Sequence, residues 1–556
     1  MASEGVPLGI FFAMLAAFVG AMILLGWLGY RHTKNNQQYL LGRNKANTVL
    51  IALSYGATFL SASAIIGFGG QAATHGLALL WLCFLNLFLG LFVAFVLFGP
   101  RVRRMGRKLG ASTFADLLGK IFKSKWIRGF TAAIIILMMP IYCAAVMKGG
   151  VNSLVVLTGT MDLYNIILII LAIVVGLYVV YGGIIAVMYN DVLQASVMVI
   201  GMVVILAVTI YVLGGFTSAF TQLADLHPPG DPLAPGTLPG FEGWAFFPAR
   251  FTEEWWTVVS TFLLGVGIGA LTQPQLVVRF MSAKDDKMLN RSLIVGSIFM
   301  LIIVGSAYTV GALTNVYFMN EHGMGSFQYV VGTLGQGVDF IIPNFVLEVF
   351  GDIKFGDVFI CVFILSLLCA AISTISALLH TIGAAGGHDL YSIFKSRKIK
   401  DQEDFQSLRI NRIVTAIIMV LVVVYCYLMP NDIIAKATSL FMGITAAALL
   451  PLMTYGLFAK APKAKAALAS ISVGTGVYLF WALFINKGSS IFLPICKWLT
   501  GKQVLFMEGN LMYVDALVIA LPLSLLTLFI VLAWMKWISP KLSKKDPEAE
   551  DNTTDT

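Results

Sequence analysis

The chain has 556 residues, of which 58% are hydrophobic and 12% are charged, against about 45–50% and about 25% in soluble domains. Polar groups could not cover a surface of this composition, so a soluble enzyme and a disordered protein are excluded. The net charge of +9 is divided among separate connections rather than gathered in one basic patch, which argues against a nucleic-acid partner.

Apolar runs of about 20 residues recur along the chain, and a helix needs about that length to cross the hydrocarbon core. We therefore predict an all-α polytopic membrane protein with thirteen transmembrane helices in contact with membrane lipid. The runs lie at 7–30, 46–75, 77–99, 125–156, 163–183, 190–214, 253–281, 290–314, 355–386, 409–429, 434–458, 464–486 and 513–537. They predict one transmembrane domain over 1–538, followed by a disordered cytoplasmic tail over the polar residues 539–556.

Lys and Arg concentrate in alternate connections, at 31–45, 100–125, 284–291, 395–409, 460–465 and 541–545. Cytoplasmic connections of membrane proteins carry this basic excess. The pattern therefore predicts a protein of the cell (cytoplasmic-type) membrane whose N-terminus lies outside and whose C-terminus is cytoplasmic. An odd number of spans satisfies this orientation.

The second run, TVLIALSYGATFLSASAIIGFGGQAATHG, departs from the apolar pattern. It combines several glycines with small polar residues, namely Ser54, Thr58, Ser61, Ser63 and the larger Gln71. Such a run indicates either a close packing face between helices or an interrupted helix whose freed carbonyls line a site at the bilayer midplane. Composition alone leaves both interpretations open.

In the ninth run, Ala370, Ser373 and Thr374 stand at i, i+3 and i+4 and share one helical face. One carbonyl and two hydroxyls on that face suit a hard alkali cation, which takes oxygen ligands. Ala57 and Leu60 of an interrupted second helix would add carbonyl oxygens. The alternative is that these hydroxyls bond to carbonyls of their own helix, as Ser and Thr commonly do in membranes.

Several stretches of the chain resemble the sodium/solute symporter family, which includes transporters for proline, pantothenate, monocarboxylates and sugars. They are YLLGRNK at 39–45, ALSYGATFLSASAIIG at 52–67, YGGIIAVMYNDVLQ at 181–194, TQPQLVVRFMSAKDDK at 272–287 and AAISTISALLHTIGAAGGHDLY at 370–391. The resemblance implies a leucine-transporter-like architecture and transport by alternating access. Its five-plus-five inverted repeat would occupy 46–214 and 253–458, with peripheral helices at 7–30, 464–486 and 513–537.

The resemblance also implies which residues bind sodium. The family's main sodium site maps onto the residues selected above on chemical grounds: Ala57, Leu60, Ala370, Ser373 and Thr374. A second sodium site, present in some members, would use Asp191 and Ser376, although Ala377 lacks a further hydroxyl that would help. The alternative for Asp191 is a helix-end carboxylate that faces water on the inner side.

Differences between branches of the family bear on the solute. Phe59 stands where the proline branch has an Asp, and Val266 and Ala270 replace aromatic residues of that branch. The stretches ATFLSASAIIGFGGQAATHGLALLW and KDDKMLNRSLIVGSI look more like the pantothenate and monocarboxylate branches, whose solutes carry a carboxylate. We expect substrate contacts from three core helices, at Phe59, Ser61, Gln71, Lys148, Val266, Ala270 and Gln273.

Lys148 lies deep within an apolar run. A lysine at the centre of a membrane helix costs about 2.5–3.5 kcal/mol on insertion scales, so it requires a partner or a watery cavity. One interpretation is that Lys148 pairs with the substrate carboxylate or takes the place of a coupling cation. The alternatives are a pair with Asp191 or a side chain that extends to the membrane interface.

The remaining polar residues do not indicate an enzyme. We expect no cofactor and no transition-metal site, because no cluster of His, Cys and carboxylates has metal-ligand spacing. His380 is interpreted as a packed or cavity-lining residue, and Arg279 and Lys436 as residues near span ends without a special role.

These observations predict a sodium-coupled symporter that imports a small organic solute, and a monocarboxylate-type anion is the expected solute. Sodium is the expected coupling ion and sole metal partner. The alternatives are a sodium symporter for proline, another amino acid or pantothenate, and a proton-coupled carrier of the same fold.

Overall fold

The structure is a computed structural model that describes residues 8–33, 36–42, 47–226, 238–351, 353, 355–391, 400–429 and 434–537, without the side chains of residues 8, 400–407 and 537. All regular secondary structure in this part of the chain is helical, as predicted. The predicted disordered tail at 539–556 lies outside the described residues.

The α-helices are labelled here in chain order. They are α1 (Leu8–His32), α2 (Asn36–Leu41), α3 (Thr48–Phe59), α4 (Phe68–His75), α5 (Leu80–Leu85), α6 (Gly99–Lys108), α7 (Phe114–Ile121), α8 (Lys125–Leu157), α9 (Tyr164–Val212), α10 (Phe216–Leu226), α11 (Glu253–Trp255), α12 (Gly265–Gly269), α13 (Pro274–Ser282), α14 (Asp286–His322), α15 (Ile341–Gly351), α16 (Gly356–Ala384), α17 (Lys400–Leu428), α18 (Ile434–Phe458), α19 (Ala464–Phe484), α20 (Ile495–Thr500) and α21 (Ala516–Trp537). π-Helical segments at Ser63–Gly67, Asn86–Phe98, Trp256–Leu264 and Ala385–Leu390 continue several of them.

The described residues contain 11 helices that are long and apolar enough to cross a membrane. Two of these are long enough for about two crossings, at 46 residues for Ser63–Lys108 and 52 residues for Met161–Val212. Each contains a glycine with a left-handed φ, 73° at Gly76 and 62° at Gly183, where the chain changes direction. These breaks fall close to the boundaries of the predicted runs, and the count of thirteen spans stays a prediction.

The helices differ strongly in how much of their apolar surface is buried within the protein. In α16 and α18, 83% of the most apolar window is buried, against 22% in α1 and 28% in α21. The first pair therefore forms part of the centre of the bundle, whereas the second pair presents most of its surface to lipid. The candidate ligands on α16 consequently lie in the interior.

Candidate functional site

The second predicted run is interrupted near its middle. Helix α3 ends at Phe59, and Leu60 leaves the helical conformation with φ −92° and ψ 89°. The N–H of Leu60 still donates to the carbonyl of Gly56, whereas the hydroxyl of Ser61 accepts from the N–H of Ser63 at 3.0 Å. A π-turn then leads into α4. The interrupted helix is therefore the correct interpretation of this run.

A second interruption, which the sequence analysis missed, separates α12 from α13. Gln273 has an extended conformation with φ −65° and ψ 115°, and its side-chain amide donates to Thr445 at 2.9 Å and to the carbonyl of Gly269 at 3.0 Å. The signal for this break was Pro274, because proline favours the first position of a new helix. Ala270, just before the break, is buried.

Oxygen atoms chosen as sodium ligands lie together where α16 passes the first break. The hydroxyl of Ser373 donates to the carbonyl of Ala57 at 2.9 Å and lies 3.2 Å from the carbonyl of Ala370. The hydroxyl of Thr374 donates to the carbonyl of Thr58 at 3.3 Å. Both hydroxyls therefore bond to carbonyls of the interrupted helix. The alternative, in which these hydroxyls bond only to carbonyls of their own helix, does not describe this arrangement.

A small cavity of about 20 Å³ lies beside this break. It is lined by Leu60 from the sodium set and by three predicted substrate contacts, Phe59, Ser61 and Val266. A space of this size holds roughly one water molecule, so it must widen before it admits a solute. The other lining residues are Ser63, Ala64, Phe68, Asn86, Tyr142, Tyr308, Thr438 and Met442, and none of the described lining residues is charged.

The polar groups of this central cavity are hydroxyls and one amide. The Ser61 and Tyr142 hydroxyls lie 3.1 Å apart, and Ser63 is hydrogen-bonded to Thr438. The amide oxygen of Asn86 is buried and has no hydrogen-bond partner in the structure. Asn86 was not predicted as a site residue, although it is the lone amide in its apolar run. Tyr142 was not predicted either, because an aromatic residue does not interrupt the apolar pattern of a run.

The other four predicted substrate contacts do not line this cavity, namely Gln71, Lys148, Ala270 and Gln273. Gln71 is bonded to Nε2 of His75 at 3.1 Å and lines a separate, larger cavity. The ammonium group of Lys148 donates to the carbonyl of Met429 at 2.5 Å, and Lys148 is not among the residues that line the central cavity. Lys148 thus has a protein partner in this structure.

Asp191 forms a buried ion pair with Arg279. Their side chains are 0% and 2% exposed, and Nη2 of Arg279 lies 3.0 Å from Oδ2 of Asp191. The hydroxyl of Ser54 donates to the same oxygen at 2.6 Å, and Arg279 also donates to Ser54 and Thr58. The expectation that Arg279 needs no special role is therefore wrong, as is the placement of Asp191 against inner-side water.

The structure gives no direct contact between Asp191 and Ser376, the two residues of the predicted second sodium site. The hydroxyl of Ser376 donates to the carbonyl of Ser373 at 3.0 Å. Oδ1 of Asp191 has no hydrogen-bond partner in the structure. His380 fits its interpretation as a packed residue, since it is buried with its Nε2 2.8 Å from the carbonyl of Tyr39.

One group of two carboxylates and a histidine lies together in the described part of the chain, at Asp116, His388 and Asp389. Arg128 lies 2.9 Å from Asp389 and 3.6 Å from Asp116, and Lys120 lies 2.8 Å from Asp116. Burial opposes ionisation of Asp116, but His388 and the two cations outweigh it and lower the pKa of this carboxyl. Side-chain cations therefore match these carboxylates in an ion-pair network.

Comparison with known proteins agrees with this geometry. The family model described as the sodium:solute symporter family matches residues 39–474. An osmoregulated proline transporter of Bacillus subtilis is 28% identical over 86% of this chain and 88% of its own length. A sodium/pantothenate symporter of Haemophilus influenzae is 26% identical over 85% of this chain and 90% of its own.

A solved structure also shares the fold. It is the substrate-bound, outward-open state of a Na⁺-coupled sialic acid symporter, with a TM-score of 0.70 and 20% identity over 94% of this chain and 97% of that chain. This similarity shows that the chain has the leucine-transporter-like fold. The chain belongs to the sodium:solute symporter family, so it is an integral membrane protein that couples solute transport to sodium, and it is not an enzyme.

Proposed function

We propose that this symporter imports one small monocarboxylate together with one sodium ion, by alternating access around the central cavity. The observation that carries the proposal is the position of Leu60, which belongs to the sodium set and also lines the central cavity. A carboxylate bound there would lie beside the ion. The ion would supply the positive charge that the described lining residues lack, so each ligand would strengthen the binding of the other.

The sodium ion would be held by carbonyls of Ala57, Leu60 and Ala370 and by hydroxyls of Ser373 and Thr374. The contacts between these two helices support this assignment, since they already place the oxygens of both elements together. A hydroxyl has two acceptor lone pairs besides its proton. Ser373 and Thr374 can therefore turn an oxygen toward the ion without a change of position.

Hydroxyl and amide groups would hold the substrate carboxylate, with Ser61 and Tyr142 as the donors. A proline molecule would also bring a cationic nitrogen, but Phe59 offers it only an apolar surface. Although the named relatives include proline and pantothenate symporters, a three-carbon acid fits this small space more readily. The amide oxygen of Asn86 would accept a hydrogen bond from a 2-hydroxy acid, so we expect lactate to bind more tightly than propionate.

We infer that one sodium ion is coupled to each transport cycle, because a positively charged side chain already lies beside Asp191. Arg279 already contributes one fixed positive charge at 3.0 Å, and Ala377 provides no hydroxyl where a second ion would need one. A second sodium ion would have to bind beside the guanidinium group. The repulsion between two like charges in a buried site opposes this.

Uptake into proteoliposomes tests the proposal. Lactate, pyruvate, acetate, propionate, pantothenate and proline should be compared with an inward sodium gradient, with choline in place of sodium, and with an inward proton gradient alone. We expect saturable, sodium-dependent uptake of the small acids, with lactate preferred. Preferred uptake of proline or pantothenate, or uptake driven by protons in the absence of sodium, would contradict the proposal.

A matched pair of variants tests the location of the substrate site. Tyr142→Phe removes a hydroxyl from the central cavity, whereas Tyr55→Phe removes an equally buried hydroxyl that donates to the carbonyl of Gly90 at 2.7 Å and does not line the cavity. We expect the apparent affinity for lactate to fall about tenfold in the first variant, since a hydrogen bond to a charged group contributes about 1.5–3 kcal/mol. Equal effects of the two variants would remove Tyr142 from the site.

A further inference from the structure

A groove of about 280 Å³ lies between α1, the end of α8, the first part of α9, and α16. We call it the lateral groove. Phe12, Ile166 and Ile170 line it and are each more than half exposed. Leu368 and Ile372 of α16 also line it, and both are buried. The lateral groove therefore reaches from the surface of the bundle to a helix at its centre.

The wall of the lateral groove is apolar. Of the described residues that line it, two have a polar side chain, Thr158 and Thr160, and none is charged. Their hydroxyl oxygens lie 2.6 Å apart, and Thr158 donates to the carbonyl of Leu154 at 2.7 Å. An apolar space does not hold ordered water, and an empty one deprives its lining atoms of dispersion contacts. A hydrocarbon chain would fill this space without either cost.

The depth of the lateral groove matches one leaflet of a bilayer. Along α1 its lining runs from Phe11 to Met22, which is about 17 Å at about 1.5 Å per residue, and half of a hydrocarbon core of about 30 Å is about 15 Å. Thr158 and Thr160 directly follow α8, whose end the basic pattern assigns to the outer face together with the start of α1. Ile372 lies near the middle of α16. The groove thus extends from the outer face to about the midplane, with its two hydroxyls at the outer end.

We propose that the lateral groove binds one acyl chain of a phospholipid from the outer leaflet. The chain has the length and the chemistry of the groove, and the partly exposed hydroxyl of Thr160 can donate to an ester oxygen of the lipid. The bound chain packs against Leu368 and Ile372, on the helix that carries the candidate sodium ligand Ser373. The lateral groove and the central cavity share no described lining residue, so the lipid is a resident ligand and not a transported solute.

Retention of lipid provides the first test. Val19 lines the lateral groove, so Val19→Trp places a large ring where the chain would lie. The control is Val203→Trp in α9, because Val203 is 48% exposed and does not line the groove. After extraction from vesicles of phosphatidylethanolamine and phosphatidylglycerol, native mass spectrometry should show one phospholipid fewer on Val19→Trp than on the control or the unaltered protein. Equal retention by all three proteins would overturn the inference. If Val19→Trp does not fold, Leu15→Trp, one turn away in the same wall, takes its place.

Photo-crosslinking in the bilayer locates the chain and identifies its source. A phospholipid with a diazirine on its acyl chain, added to the same vesicles, should label Phe18 and Leu171, which line the lateral groove and are otherwise buried. The labelling of these two residues should fall several-fold in Val19→Trp and stay unchanged in Val203→Trp. An excess of free oleic acid should not displace the label. Labelling that Val19→Trp leaves unchanged, or that free fatty acid displaces, would refute a phospholipid site.

Discussion

The ion pair between Asp191 and Arg279 should be the most sensitive electrostatic contact in the protein. Both partners are almost fully buried, at 0% and 2% exposed, and the hydroxyls of Ser54 and Thr58 add hydrogen bonds to the pair. Removal of one partner from a buried pair leaves an uncompensated charge and costs about 3–5 kcal/mol. We therefore expect Arg279→Gln to lower the free energy of unfolding by about that amount, and Asp191→Asn to do likewise.

The same reasoning gives a different result for an exposed pair. Arg104 and Asp286 lie 2.7 Å apart with side chains 67% and 30% exposed, and exposed pairs contribute about 0.2–1 kcal/mol. Arg104→Gln is therefore the matched control, because the substitution is identical and the ion-pair distance is similar. The comparison measures the effect of burial together with that of Arg103, which remains 2.7 Å from Asp286 in the control variant.

Thermal unfolding of purified protein in detergent measures these effects, and a thiol-reactive dye can report it because all six cysteines are buried. The double variant Asp191→Asn/Arg279→Gln leaves neither charge behind, so it should be more stable than the sum of the single variants predicts, by up to about 3 kcal/mol. The account of this pair would be refuted if the Arg279→Gln protein were as stable as the Arg104→Gln protein. It would also be refuted if the losses of stability in the two single variants added strictly in the double variant.

Three further predictions concern coupling and charge. Ser373→Ala should raise the sodium concentration for half-maximal uptake about tenfold, because a ligand of a cation is lost. Ser366→Ala on the same helix is the control and should not raise it, and equal shifts in the two variants would reject the sodium site. Lactate uptake should generate no inward current under voltage clamp, and a current abolished by Asp191→Asn would instead establish a second sodium ion. Lys148→Gln should leave the preference for lactate over its amide unchanged, because Lys148 donates to the carbonyl of Met429; a lost preference would return Lys148 to the substrate site.

Features encoded within one segment of the chain were predictable from the sequence. The cluster of glycines and hydroxyls around Leu60 marked the interrupted helix, and the i, i+3, i+4 spacing of Ala370, Ser373 and Thr374 placed them on one face. The structure brings oxygens of these two segments to within 2.9 Å, between Ser373 and Ala57. The local sequence pattern was sufficient for this prediction, because each of the two helices carries its candidate ligands within one short segment.

Features that depend on which helices meet were not predictable. Asp191 and Arg279 are 88 residues apart, and neither segment indicates the other as a partner. Hydropathy placed Arg279 near the end of a run, where a lysine or arginine ordinarily reaches water, and it could not reveal that α3 and α9 cover this side chain. Gln71 was likewise expected among the substrate contacts from its place in the second run, but it bonds to His75 and lines a separate, larger cavity, which the sequence alone does not reveal.

The proposed stoichiometry of one sodium ion per monocarboxylate would limit how strongly this symporter can concentrate its solute. A tenfold sodium gradient contributes about 1.4 kcal/mol, and a membrane potential of about 100 mV contributes about 2.3 kcal/mol per charge moved. One sodium ion with one monoanion carries no net charge, so the potential contributes nothing and accumulation stops near tenfold. A second sodium ion would recruit both terms and allow accumulation of several thousandfold. Under the proposed mechanism, Arg279 rather than a second sodium ion would neutralise Asp191, so uptake would accumulate less solute but would not depend on the membrane potential.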